Sequence, residues 1–264
     1  MERGSRRACL AGVALAALTA YLARAGEEPW EPRTFTGANG KTLPYRLLKP
    51  AAYDAKTAYP LVALLHGAGE RGTDNSAQLK NGVGTLLASA ETRQKYPCFA
   101  IAPQCPGKCR WVEVDWGANS HKMPEQPSEP MGLLLELIPA LQKEFNLDAT
   151  RFYVTGLSMG GYGAWDILAR KPEWFAAAAP ICGGADENTA ASIARIPVWV
   201  FHGGNDGVVK TIRARNMVEA LKKAGAKAQY TEYPGVGHNS WEKAFKEPKL
   251  LEWMFGQKRS AEKK

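Results

Sequence analysis

Short unbroken apolar runs punctuate the chain at Leu61–Leu65, Phe99–Ala102, Phe152–Thr155, Phe175–Ile181 and Val198–Phe201. Runs of this length predict strands buried on both faces. Ala228–Tyr233 alternates apolar with polar positions and predicts a strand nearer a sheet edge. Two extended stretches, Arg33–Thr36 and Thr42–Leu48, flank Gly37-Ala38-Asn39-Gly40 and read as an antiparallel hairpin. Helical spacing fills Met131–Phe145, Met159–Arg170 and Thr211–Ala224, with Gly225 placed to end the last of these. Strands alternating with helices of this length predict βαβ units, a mainly parallel sheet flanked by helices, and an α/β fold class. No repeat, low-complexity linker or composition break divides residues 26–257, which read as one domain.

One segment escapes this pattern. Residues 103–130 are rich in Pro and Gly and carry Trp111, Trp116 and His121. They follow a predicted strand, at the carboxyl edge where ligands bind in open α/β sheets. Two readings stay open: a functional loop, or a disulfide-pinned surface loop with a tryptophan packed for stability.

Composition changes little. With 264 residues, 45% hydrophobic and 23% charged, the chain is ordinary globular protein rather than disordered segment or coiled coil. The formal charge of +8 sits largely at the two ends. Residues 1–25 hold four basic residues and one acid, as do residues 258–264, which form a basic C-terminal tail and leave +2 for the body. A nearly balanced body is no nucleic-acid footprint.

The N-terminus has its own logic. Arg3, Arg6 and Arg7 precede an apolar run over 8–23 and then Ala23-Arg24-Ala25, the order of a secretory signal peptide with cleavage after Ala25. The run is shorter than the ~20 residues of a spanning helix, so no stable membrane insertion is expected after cleavage; an uncleaved anchor is the alternative. Ser5-Arg6-Arg7 also resembles a twin-arginine signal, with Cys9 standing where a large apolar residue is usual. A secreted or periplasmic location follows. In such a compartment the mature cysteines, Cys98, Cys105, Cys109 and Cys182, read as disulfide formers rather than metal ligands, with the pairing undetermined. No zinc-type spacing surrounds them, and no metal site is read.

The chemistry concentrates at Gly156-Leu157-Ser158-Met159-Gly160, which follows one predicted strand and opens a helix. A serine on such a turn presents its hydroxyl above the sheet, the flanking glycines leave room for the tight approach, and the helix N-terminus directs N–H groups at a developing oxyanion. Serine needs a base. Of four histidines, His66 and His202 end buried strands, His121 lies in the long loop, and His238 lies in Pro234-Gly235-Val236-Gly237-His238 after the last strand. Only His238 satisfies the chain order Ser…Asp…His. The acid should follow a strand between the two, which selects Asp206 in Gly203-Gly204-Asn205-Asp206; Asp186 and Glu187 are substitutes, and Asp166 and Asp115 are poorly placed.

A competing pattern, Gly67-Ala68-Gly69-Glu70-Arg71-Gly72, spells a dinucleotide fingerprint after a strand. Asn75 and Asn81-Gly82 interrupt any immediate helix, and the next strand ends in Ala102-Pro103-Gln104 with no acid for a ribose. The better reading gives the Ala68 N–H, with that of Met159, to an oxyanion hole.

With these segments placed, the chain resembles the α/β-hydrolase superfamily, and within it the dienelactone-hydrolase and prolyl-oligopeptidase-like esterases. The resemblance rests on Leu65-His66-Gly67-Ala68-Gly69-Glu70-Arg71-Gly72, Ala102-Pro103-Gln104-Cys105-Pro106, the serine segment through Trp165, Phe201-His202-Gly203 with Asp206, and Gly237-His238-Asn239-Ser240-Trp241. Such proteins often have Asp where this chain has Asn239, and dienelactone hydrolases use cysteine where it has Ser158. The resemblance implies ester hydrolysis through an acyl-enzyme, without a cofactor.

The stretch between Ile181 and Ile196 leaves no room for a lid. An open cleft flanked by Trp111, Trp116 and Trp241 suits large substrates, which directs attention to acetyl or feruloyl esters on polysaccharides. A peptidase using the same three residues, and a secreted binding protein that lost its chemistry, are the alternatives.

Overall fold

The computed structural model describes residues 29–260. The expected signal peptide (1–25) and the last residues of the basic tail lie outside them. Eight strands form one sheet: β1 (Trp30–Thr36), β2 (Thr42–Leu48), β3 (Tyr59–Leu65), β4 (Phe99–Pro103), β5 (Leu147–Leu157), β6 (Phe175–Ile181), β7 (Val198–Gly203) and β8 (Ala228–Tyr233), in the order β1-β2-β4-β3-β5-β6-β7-β8. The first two pair as an antiparallel hairpin, β2 is antiparallel to β4, and all remaining neighbours run parallel. This is an α/β-hydrolase fold. The helices are α1 (Val83–Leu86), α2 (Ala90–Lys95), α3 (Glu129–Glu144), α4 (Met159–Arg170), α5 (Ala190–Ile193), α6 (Ile212–Lys223), α7 (Trp241–Ala244) and α8 (Leu250–Phe255).

Strand alternation splits the interior into two layers. Leu61, Ala63 and Leu65 pack on one face with Leu134 and Ile138 of α3, Trp165 of α4 and Met217 of α6. Val62 and Leu64 pack on the other with Val83, Ala244, Leu250 and Met254. Every residue of β3, β4, β6 and β7 is buried, whereas β8, at the edge, is only half-buried. That contrast is the continuous-against-alternating pattern of the sequence. Between β6 and β7, residues 182–197 hold one 3₁₀ turn (Glu187–Thr189) and α5, and no lid.

Two expectations change. All four described cysteines are free thiols, three of them buried in the core, so apolar packing and not a covalent bridge accounts for them. The long loop, now 104–128, is held instead by hydrogen bonds. Gln104 N–H donates to the Pro44 carbonyl, Met123 N–H to Asp186, and Arg170 to the carbonyls of Pro124 and Glu125.

Candidate active site

Ser158 stands between β5 and α4 with φ +53° and ψ −118°, a backbone conformation that side chains rarely adopt. The turn is so tight that a Cβ on Gly156 would overlap the Gly160 carbonyl, and one on Gly160 would overlap the Leu65 carbonyl. Only glycine lets β3, β5 and α4 converge there.

Above this turn the ends of β5, β7 and β8 bring together the three residues selected from the sequence. His238 Nε2 is 2.8 Å from Ser158 Oγ, and His238 Nδ1 is 2.8 Å from Asp206 Oδ2. A carboxylate only accepts, so Nδ1 carries the proton and Nε2 accepts from the serine hydroxyl. Asp206 is buried and its other oxygen accepts the N–H groups of Val208 and Val209, both at 2.9 Å. Burial alone would raise its pKa; donation from His202, His238 and the two amides reverses this and holds the group below the usual carboxylate range. Such an arrangement can withdraw a proton from the serine hydroxyl and stabilise the imidazolium that results.

His202 was set aside in the sequence as a strand-end residue, yet it belongs to this cluster. It is fully buried, and its Nε2 lies 2.9 Å from the Val209 carbonyl and 3.1 Å from Asp206 Oδ2, the same oxygen that receives His238. Its spacing of four before Asp206, with both on one strand-end turn, was the only available signal. Asp186 instead caps the Glu187–Thr189 turn by accepting from Asn188 N–H, and Asp166, buried within α4, pairs with Arg170.

The two proposed oxyanion donors flank the serine. Met159 is the first residue of α4, so its N–H lacks a helical acceptor. Ala68 opens a 3₁₀ turn, Ala68–Glu70, beside the serine: a Cβ on Gly67 would sit 3.6 Å from Ser158 Cβ. His66 orients this turn. Its Nδ1–H donates to the Gly67 carbonyl at 2.6 Å while Nε2 accepts Cys105 N–H at 2.9 Å. In a planar trans peptide, holding the Gly67 carbonyl toward His66 turns the Ala68 N–H the opposite way. Burial lowers the His66 pKa to about 4, so the imidazole is neutral. The turn is followed by extended Arg71, which leaves the glycine pattern without the helix a dinucleotide would need.

The tryptophans separate. Trp241 is half-buried with its ring edge-on to His238, centroids 5.4 Å apart. Trp116 is half-buried beneath the Arg110 guanidinium, 4.3 Å from its ring centre, and its carbonyl accepts from the Tyr162 hydroxyl. Trp111 is a correction. It is completely buried, donates Nε1–H to the His66 carbonyl at 3.1 Å and packs on His66 and Gly163, so it is a core residue beneath the site and faces no substrate. Arg213, which the sequence did not single out, is also fully buried; it donates to the Ala118 carbonyl at 2.9 Å and to His121 Nδ1, and covers the Tyr162 ring. Burial, then this guanidinium, lowers the His121 pKa to about 4.

Among the described residues, Cys182, Asp206 and His238 offer three potential metal-ligand atoms within 4.8 Å of one another. Asp206 and His238 already hydrogen-bond each other, and burial pushes the Cys182 thiol up to about 12, which disfavours the thiolate a metal would require.

The dienelactone hydrolase family matches residues 124–261, more than half of the chain. This protein belongs to the dienelactone hydrolase family. Among solved structures, a thermostable esterase superposes with a TM-score of 0.82 and 39% identity over 88% of this chain and 64% of its own. The bifunctional acetylxylan esterase/xylanase of Neocallimastix patriciarum is 35% identical over 75 residues, 28% of this chain and 11% of that protein. The endo-1,4-beta-xylanase/feruloyl esterase of Xylanibacter ruminicola is 28% identical over 187 residues, 68% of this chain and 24% of that protein. The chain thus spans less than two thirds of the length of each of these relatives. Dienelactone hydrolase family membership agrees with the fold, and the matched residues contain the serine segment, Asp206 and His238, while the 65–72 and 102–106 segments precede them.

Proposed function

We propose that this member of the dienelactone hydrolase family is an exported serine esterase that acts on short-chain or polysaccharide-linked esters through Ser158, His238 and Asp206. The observation that carries the reading is the pair of 2.8 Å hydrogen bonds joining the serine hydroxyl, the imidazole and the carboxylate. In acylation, Ser158 Oγ attacks the ester carbonyl carbon while its proton passes to His238 Nε2. The carbonyl oxygen, now negative, is met by the N–H groups of Ala68 and Met159. Collapse of the tetrahedral adduct breaks the carbon–oxygen bond to the alcohol, which leaves with the proton from His238 Nε2. A water molecule repeats the sequence on the acyl-serine, giving the carboxylic acid and free Ser158.

Relatives named for acetylxylan and feruloyl ester hydrolysis support the substrate class. The short connection after β6, without a lid, supports access by a large alcohol. Export rests on the N-terminal pattern; N-terminal sequencing of the periplasmic or secreted protein should find Gly26 first. The decisive test compares hydrolysis of p-nitrophenyl acetate, butyrate and octanoate by the native protein and its Ser158→Ala variant. Loss of a nucleophile of this type reduces kcat by on the order of 10⁴-fold or more. Equal rates in the two proteins would remove Ser158 from the mechanism, and a preference for octanoate would replace the short-chain assignment with a lipase-like one.

A further inference from the structure

Beside Trp241 lies an open groove of about 530 Å³, between α1–α2 and the segment from α7 to α8. Its volume is that of a small-molecule site. It meets the residues described above at two points. At one, Trp241 lines the groove and meets His238 edge-on. At the other, Asn81 lines the groove and donates Nδ2–H to Glu70 Oε1 at 2.7 Å, Glu70 being the last residue of the turn that presents the Ala68 N–H. Asn81 (φ +56°) and Gly82 (φ +88°) both lie in the left-handed region, and this bend sets Gly82 against the Phe245 ring, where a Cβ would lie 2.8 Å from Cδ2.

The lining identifies the class of occupant. Trp241 and Phe245 line it among polar groups, Tyr96 joins them with its ring stacked on Phe255 at 4.9 Å, and the charges nearly cancel: Glu91, Glu242 and Glu247 against Lys95 and Lys246. Five charged side chains make a poor wall for a long acyl chain, whose burial requires continuous apolar surface. Near-balanced charge gives no purchase to a phosphate or a polyanion. Aromatic platforms interspersed with donors and acceptors match an uncharged polyhydroxylated chain, whose sugar rings offer C–H faces to the aromatics and hydroxyls to the rim. We propose that this groove is the alcohol-side subsite, binding an oligosaccharide that carries its ester toward Ser158 past Trp241. The inference rests on the esterase reading and adds to it where the leaving group lies.

Thr85 is exposed on the groove wall, so Thr85→Trp fills the groove without disturbing the core. Hydrolysis of acetylated xylo-oligosaccharides and of p-nitrophenyl acetate is measured for the native protein, Thr85→Trp and Glu91→Ala. In parallel, unesterified xylohexaose is titrated calorimetrically into Ser158→Ala, with and without Thr85→Trp. The ratio of kcat/KM for the oligosaccharide ester to that for p-nitrophenyl acetate should fall at least tenfold in Thr85→Trp, through KM, and about threefold in Glu91→Ala. Xylohexaose should bind Ser158→Ala and not the double variant. An unchanged ratio, or xylohexaose binding that survives Thr85→Trp, overturns the subsite. Native protein that cleaves p-nitrophenyl acetate but neither binds xylohexaose nor cleaves the oligosaccharide ester overturns the carbohydrate assignment and leaves the esterase reading standing. Inactivity on both esters removes the esterase reading itself.

Discussion

The two sides of the site are built by different means. Ser158, Asp206 and His238 stand on turns at the ends of β5, β7 and β8, fixed by neighbouring strands and by glycines with no room for a side chain. The opposite side is the 104–128 loop, which is fixed by side chains reaching from elsewhere to its backbone: Arg213 to Ala118, Arg170 to Pro124, His66 to Cys105. On the strand side, buried and half-buried polar groups point at one another. On the loop side, the residues with the most chemical promise, Trp111 and His121, are used in holding the loop down. Side-chain chemistry alone therefore does not mark a substrate contact; what holds the residue in place decides.

The sharpest way to break this contrast is to change one atom on the strand side. In Asp206→Asn the amide oxygen would keep the Val208 and Val209 N–H groups, which turns the NH₂ toward His202 and His238. A donor then faces the His238 Nδ1–H donor, and the imidazole adopts the wrong tautomer. The expected loss in kcat for p-nitrophenyl acetate is about 10⁴-fold with KM little changed. A loss below tenfold would mean that Asp206 only shapes the loop.

The next effect compares the sides through pH. His66, on the strand side, is neutral and buried with a pKa lowered to about 4 from 6.5. Its contribution to stability is complete above pH 6.5. As pH falls the unfolded chain takes up the proton first, so stability declines from pH 6.5 to about 4, by roughly 3 kcal/mol for a shift of this size. His121, on the loop side, is lowered in the same direction but is only half-buried, and its share is smaller. Urea unfolding at pH 7, 5.5 and 4 checks this: His66→Asn should flatten the pH dependence more than His121→Asn. The reverse order would make the loop the more pH-sensitive side.

Trp111→Phe tests the loop from within. It removes a buried N–H donor to the His66 carbonyl and part of a packed ring, at an expected cost of about 1–3 kcal/mol in unfolding free energy. KM for p-nitrophenyl acetate should not move. A rise in KM with unchanged stability would restore Trp111 to the cleft.

These outcomes follow how legible each region was. The sheet could be read because strand burial leaves continuous apolar runs, and β6 and β8 have the predicted limits. Ser158, Asp206 and His238 could be located because each follows a strand within a few residues, so local spacing carried the three-dimensional position. Trp111 could not be placed, because its burial depends on His66, 45 residues away, and on Gly163. Arg213 is similar: nothing near it in the chain announces a guanidinium that reaches carbonyls more than ninety residues back. Disulfides were read from compartment alone, and three of the four thiols instead serve as small core residues.

His202 gives the finest test, since it sits on the strand side but acts only through another residue. It shares Asp206 Oδ2 with His238, and its Nδ1 is buried without a hydrogen-bond partner. The groups facing Asp206 are His202 on β7, His238 after β8, Cys182 after β6 and Tyr162 on α4, with Glu232 of β8 acting on His202. A donor on that oxygen fixes its rotamer and so keeps the carboxylate aimed at His238 Nδ1. His202→Gln keeps a donor but weakens its geometry. One imperfect hydrogen bond to a charged group, about 1.5 kcal/mol, corresponds to roughly a tenfold loss in kcat. KM for p-nitrophenyl acetate should stay constant. A residue that merely packs the strand end would lower stability and leave kcat unchanged, which makes kcat at saturating substrate, measured where the variant is fully folded, the reading that separates the two roles.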